Sequence, residues 1–156
     1  MTTNDDLATW ADLETAAPAL AATGKGVLAG GGEAGALLAT IRGDAPPRIH
    51  PVTVSIVAGG LYVFLLDSAK RRDLAEDGRY ALHGHQDPAL PSEFSVRGRA
   101  RLVPAGAVRD RVASGWAFEV DDSYWLFELR IESAILGERA ADEWPPRYTR
   151  WSVTQR

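Results

Sequence analysis

The side chains of this chain that could do chemistry are mostly basic, and few of them suit covalent catalysis. There is no cysteine, which excludes a disulfide, a thiolate metal site and a thiol nucleophile. No Gly-x-Ser-x-Gly elbow is present to expose a nucleophilic serine. The histidines are His50, His83 and His85. His83 and His85 sit two apart, on one face of a strand, with Asp87 as a conceivable third ligand. Two strand histidines are a weak metal motif, and polar residues on a solvated or interface face are the simpler reading. Arg97, Arg99 and Arg101 alternate along another run. They could bind an anion, or pair with carboxylates across a ladder. The densest group is Ser68-Ala69-Lys70-Arg71-Arg72. A hydroxyl, a lysine and two arginines at a strand-to-helix turn offer backbone N–H groups and charge to a phosphate. Arg48 begins a neighbouring run and could converge on the same place. Residue types alone leave this cradle open against a solvated basic turn.

Seven β-rich runs must position these groups: residues 37–42, 48–57, 61–66, 80–85, 93–103, 123–136 and 148–153. The run 93–103 alternates most cleanly, with Phe94, Val96, Gly98, Ala100 and Leu102 inward and the arginines outward. Pro51 inside the second run suits an edge or a bulge, where interrupted pairing would let backbone groups face a ligand. Gly59-Gly60 signals a hairpin. The third run is apolar on both faces and is expected to be buried on both, its second cover coming from a partner subunit. Leu7, Trp10 and Leu13 space one face of an N-terminal helix capped by Asn4 or Asp5, which Pro18 ends or reopens. Gly24-Lys25-Gly26 is not read as a dinucleotide fingerprint, because no strand precedes it. The polar stretch 68–77, with Leu74 its main apolar anchor, reads as a basic loop running into a short helix, and Val108, Val112 and Trp116 space another over 105–116. Strands without regular helix alternation indicate an α+β, mostly antiparallel fold closed into a barrel, which removes exposed edges. The expected organisation is one domain, with residues 1–35 a helical segment and glycine-rich lead-in and 36–156 the barrel.

The 156 residues suffice for one sizeable core. A formal charge of −4 gives no general reason to expect nucleic acid as partner. No apolar run is long enough to span a membrane, and the acidic N-terminal stretch does not read as a secretory leader. A cytoplasmic location is expected.

Taken in order, several segments carry a family likeness. They are Leu38-Ala39-Thr40-Ile41-Arg42, Pro47-Arg48-Ile49-His50-Pro51-Val52, Gly60-Leu61-Tyr62-Val63-Phe64, Lys70-Arg71-Arg72-Asp73-Leu74, Arg79-Tyr80-Ala81-Leu82-His83 and Glu93-Phe94-Ser95-Val96-Arg97-Gly98-Arg99-Ala100. Together they resemble the pyridoxamine 5′-phosphate oxidase-like family of flavin and deazaflavin split-barrel proteins, over about residues 35–135. The closing Arg147-Tyr148-Thr149-Arg150-Trp151 looks like the tail of actinobacterial members. The resemblance implies a six-stranded split β-barrel with peripheral helices that forms a homodimer, with flavin mononucleotide (FMN) in clefts between subunits. It carries Arg48 and Lys70 onto the phosphate-holding positions, with Ser68 beside them. His50, Pro51, Val52 and Thr53, with Ile49 in the same strand, match the segment along the flavin ring and ribityl chain, and Phe64 and Leu65 match the facing strand. Ala69 stands where the founding oxidase has an arginine before its lysine, a loss that Arg71 or Arg72 would have to offset. Glu93 stands where that oxidase has a glutamine. Its C-terminal substrate motif is not recognisable here, so pyridoxamine phosphate is not the expected substrate. The expected function is that of a flavin-dependent oxidoreductase. The alternatives are a deazaflavin-dependent reductase, for which Arg71, Arg97 or Arg99 could hold an acidic tail, and a non-catalytic flavin- or haem-binding protein.

Overall fold

Alternating apolar and polar residues, cut by Gly43, Gly59 and Gly78 at positive φ, build one antiparallel sheet in the computed structural model. Residues 3–29, 35–84 and 92–155 are described. Most of the glycine-rich lead-in, and the His85 and Asp87 half of the metal reading, lie outside them. The strands are β1 (Ala36–Thr40), β2 (Arg48–Val52), β3 (Val54–Val57), β4 (Gly60–Leu65), β5 (Arg79–Gly84), β6 (Glu93–Val103), β7 (Trp125–Glu138) and β8 (Arg147–Ser152). The helices are α1 (Trp10–Ala16), α2 (Pro18–Ala29), α3 (Ala69–Glu76) and α4 (Ala107–Ser114). None of them is long and apolar enough to cross a membrane.

The strand order is β2-β1-β5-β6-β7-β4-β3, with β8 added to β7. The two outermost strands, β2 and β3, are consecutive in the chain and separated only by Thr53. The sheet therefore curls until its ends are joined by covalent chain rather than by a ladder. The single run expected over 48–57 is two strands that pair with opposite ends of the sheet, β2 with β1 and β3 with β4. The break falls at Thr53, not at Pro51, which keeps its place opposite Leu37. This split and the appended β8 raise the strand count from the implied six to eight.

Three further local expectations change. Asn4 and Asp5 form a short 3-10 turn, and Thr9 caps α1 through a reciprocal box with Asp12 (2.8 Å and 3.1 Å). Pro18 opens α2, which continues through Gly24 and Gly26 to Ala29. Gly24 is required there because a Cβ would stand 2.6 Å from the Phe94 ring. In β6 the alternation holds to Ala100, but Leu102 is exposed because β5 ends opposite Arg99 and leaves it a neighbour on one side only.

Two cores result. In the larger, Trp10, Leu13, Leu20 and Leu28 of the helices interlock with Leu38, Leu82, Phe94, Phe127 and Ile131 of the strands. Trp10 meets Phe94 edge-on at 6.0 Å. The N-terminal helices are thus part of the barrel's core. The smaller core lies on the opposite face of β4 and holds Tyr62, Phe64, Val103, Val112, Trp116 and Leu126. Every residue of β4 is buried, as its composition predicts. Its second cover, however, comes from α4 and the following loop of the same chain, not from a partner. Val108 is left exposed on the outer side of α4.

Candidate functional site

The buried β4 fixes where the chain emerges at Leu66, and the polar run that follows starts α3. Ser68 is its N-cap: its hydroxyl accepts from the Arg71 amide at 3.3 Å and donates to the Leu66 carbonyl at 3.0 Å. The hydroxyl is thereby engaged in capping. Arg71 is largely covered. It donates to the Ser123 carbonyl at 3.0 Å, pairs with Asp67 at 3.2 Å and lies over the Trp125 ring at 4.3 Å. Arg72 pairs with Asp67 at 2.8 Å. Three members of the run thus hold the turn itself. Lys70 differs, having no carboxylate within ion-pair distance among the described residues.

The next residue along, Asp73, is buried on the inner side of α3. It accepts from Thr40 Oγ1 at 2.9 Å and from Arg48 Nε at 3.1 Å, and the Arg42 Nε lies 3.8 Å away. One carboxylate thus ties α3 to β1 and β2. Arg48 uses only Nε in this contact, and its two terminal amino groups have no hydrogen-bond partner among the described residues. Arg48, His50 and Val52 share the inner face of β2, opposite Thr40, Leu38 and Ala36. Ile49 and Pro51 point the other way and are exposed. Burial holds the His50 imidazole below the usual histidine range, and the charges of Lys70 and then Arg48 lower it further, against Asp73. The two cations are therefore within electrostatic reach of the same ring, which is neutral at neutral pH. The His50 Nε2 is buried without a partner.

Of the residues singled out in the sequence, Arg48 and Lys70 lie within electrostatic reach of His50, on a strand whose outer edge no described strand pairs. The guanidinium of Arg71 is committed elsewhere. Phe64 is turned into the smaller core, edge-on to Trp116 at 4.9 Å, and Leu65 into the larger one. At Phe64 and Leu65 only backbone could meet a ligand. The arginine row is engaged by the protein: Arg97 with Ser133 Oγ (3.0 Å), Arg99 with the Asp77 carbonyl (3.1 Å), and Arg101 with the buried Glu128 across the ladder (2.5 Å). His83 Nε2 lies 3.6 Å from a Glu93 carboxylate oxygen. Among the described residues no cluster of three metal-ligating side chains forms. Four surface grooves lie elsewhere, including one of about 330 Å³ between β6, β7 and β8; none of these four is lined by Arg48, His50 or Lys70. The residues missed in the sequence are Asp73 and Thr40. Their one signal is an acid standing alone in a cationic run, just before the apolar anchor Leu74.

No protein-family profile and no curated protein matches the chain. Solved structures do. A haem-binding protein from Mycobacterium smegmatis superposes with a TM-score of 0.58 at 18% identity, over 85% of this chain and 58% of that one. A Listeria innocua protein, provisionally named a pyridoxamine 5′-phosphate oxidase, gives 0.55 at 16% identity, over 69% and 90%. PhzG from Burkholderia lata, in complex with tetrahydrophenazine-1-carboxylic acid, gives 0.51 at 12%, over 76% and 81%. The fold is a split barrel. At these identities the likeness extends to the split barrel alone, and the neighbours differ in what they are named for.

Proposed function

We propose that this split barrel binds FMN and serves as a flavin-dependent oxidoreductase of the pyridoxamine 5′-phosphate oxidase-like kind, with Arg48 and Lys70 holding the cofactor phosphate. The observation that carries this reading is that two cations, whose ammonium and terminal amino groups have no partner among the described residues, both act on the His50 ring. A fork of two free amino groups and a mobile ammonium suit a phosphate dianion. The edge of β2 that no described strand pairs offers backbone N–H and C=O groups to a ring with its own donors and acceptors, Pro51 lacking only the N–H. The backbone at Phe64 and Leu65 faces it in this reading. Bound there, the flavin would supply electron transfer; the protein supplies binding, orientation and electrostatics.

FMN is favoured over the two rivals. A deazaflavin's acidic tail would need further free cations, yet Arg71, Arg97 and Arg99 are all engaged by protein acceptors. Haem would need an axial ligand, and of the described histidines one has its Nε2 sealed from solvent and the other has it beside Glu93. The reading includes a homodimer. The outer face of β1 and β2 leaves Leu37, Ile49 and Pro51 exposed next to the site, and a second copy would cover them and enclose the ligand.

The test is titration of the purified protein with FMN, riboflavin and haemin, followed by absorption and tryptophan fluorescence, with light scattering alongside. The expected outcome is a dimer that binds FMN in preference to riboflavin and haemin. Equal affinity for FMN and riboflavin, or binding of haemin alone, would overturn the phosphate assignment.

A further inference from the structure

We infer that Asp73 is a positioning residue that sets the orientation of Arg48 for an anionic ligand, an inference that rests on the phosphate reading above. Asp73 is 1% exposed, and a carboxylate at that depth must be compensated by donors. The donors come from two strands: Thr40 Oγ1 at 2.9 Å on β1 and Arg48 Nε at 3.1 Å on β2. The Arg42 Nε at 3.8 Å adds charge from the end of β1. Thr40 holds the carboxylate, and the carboxylate holds the guanidinium.

How it holds matters. A carboxylate that engaged Nε and a terminal amino group together would consume half of the fork. Here Nε alone donates, so the plane of the guanidinium is anchored while both terminal groups have no partner among the described residues. The Arg48 side chain is 43% exposed. Without the anchor, a side chain that exposed would lose its rotamer freedom only on binding, at a cost to affinity. Asp73 also brings a negative charge towards a negatively charged ligand. Position and charge therefore act in opposite directions, and substitutions can separate them.

Asparagine at this place keeps an oxygen that can accept from Thr40 and from Arg48 Nε, and removes the charge. Alanine removes both. Arg48→Lys keeps the cation but loses the Nε anchor and the fork. Affinities for FMN and riboflavin would be measured by fluorescence titration for wild type, Asp73→Asn, Asp73→Ala, Thr40→Val and Arg48→Lys, with near-ultraviolet circular dichroism to check the fold. The expected result is that Asp73→Ala and Arg48→Lys each lose about tenfold of the FMN preference, the scale of one charge-assisted contact, with riboflavin affinity unchanged. Thr40→Val should lose a smaller part of it, and Asp73→Asn, which keeps the anchor and removes the opposing charge, should keep or raise it. Should Asp73→Ala not fold, Thr40→Val and Arg48→Lys decide the matter. An Asn variant that loses as much as the Ala variant, or an FMN preference intact or raised in Ala, would overturn the inference while leaving the phosphate site standing. Wild-type protein with no preference for FMN overturns both.

Discussion

Replacing Lys70 by alanine isolates the electrostatic half of the proposed site. Lys70 lies in the first turn of α3, just behind the Ser68 cap, and pairs with no carboxylate among the described residues. Its removal breaks no ion pair, and alanine is the better helix former by a few tenths of a kcal/mol. Stability should thus change by less than about 0.5 kcal/mol. Affinity should change much more. Two opposite charges about 4 Å apart at an effective dielectric constant near 20 attract by about 4 kcal/mol per unit charge. Desolvating the ammonium and the phosphate takes back part of this. What survives in comparable charge-assisted contacts is about 1.5–3 kcal/mol, a loss of about ten- to hundredfold in affinity. Riboflavin has no phosphate, and its affinity should hardly move. The assay is quenching of tryptophan fluorescence by each ligand, for wild type and Lys70→Ala, at two salt concentrations. Added salt should weaken FMN binding in wild type and much less in the variant. Equal losses for both ligands would mean that Lys70 supports the ring site or the fold. No loss for either would return the turn to a solvated basic segment.

Three other expectations test the scaffold. Gly98→Ala should cost about 3 kcal/mol or more, because a Cβ there would overlap the Arg130 carbonyl and come within 3.0 Å of the Glu132 amide at a β-bulge; a denaturant midpoint close to that of wild type would show that the bulge can shift. His50 binds its proton less readily folded than unfolded, so the unfolded chain takes up more protons as pH falls through the ordinary histidine range near 6.5. Its stability contribution is full above that range and falls below it, and His50→Gln should flatten the loss between pH 7 and pH 5 in urea titrations of the apo protein; an unchanged slope would assign the effect elsewhere. Trp116→Ala should cost about 3–5 kcal/mol of protomer stability, since Trp116 covers β4 beside Phe64 from within the chain. A shift in oligomeric state with no such loss would point to cover by a partner.

The sequence by itself determined what is local. Period-two alternation marked β6 up to Ala100, the doubly apolar run marked β4 as buried on both faces, and the polar stretch 68–77 marked a short helix, although α3 begins already at Ala69 and takes in the basic run that reads as a loop. Arg48 and Lys70 were legible as a possible pair because basic groups stand at the ends of strong strands, and His50 joined them only through the family resemblance. Tertiary structure decided everything that depends on which segments meet. Thr53 breaks a run that looks continuous because the two ends of a curled sheet must both be paired, and no local pattern encodes that closure. The cover of β4 comes from α4 because the chain returns through Val103 and Leu126 to the face that the barrel leaves open. Arg71 and Lys70 are neighbours in a run of like charge, yet one lies over Trp125 and the other meets no carboxylate among the described residues, since helix geometry points adjacent residues about 100° apart. Asp73 reads as one more polar residue of a short helix until folding brings Thr40, 33 positions away, and Arg48, 25 positions away, onto its carboxylate. A buried charge takes its meaning from its partners, and those partners lie on strands whose pairing only the closed sheet sets.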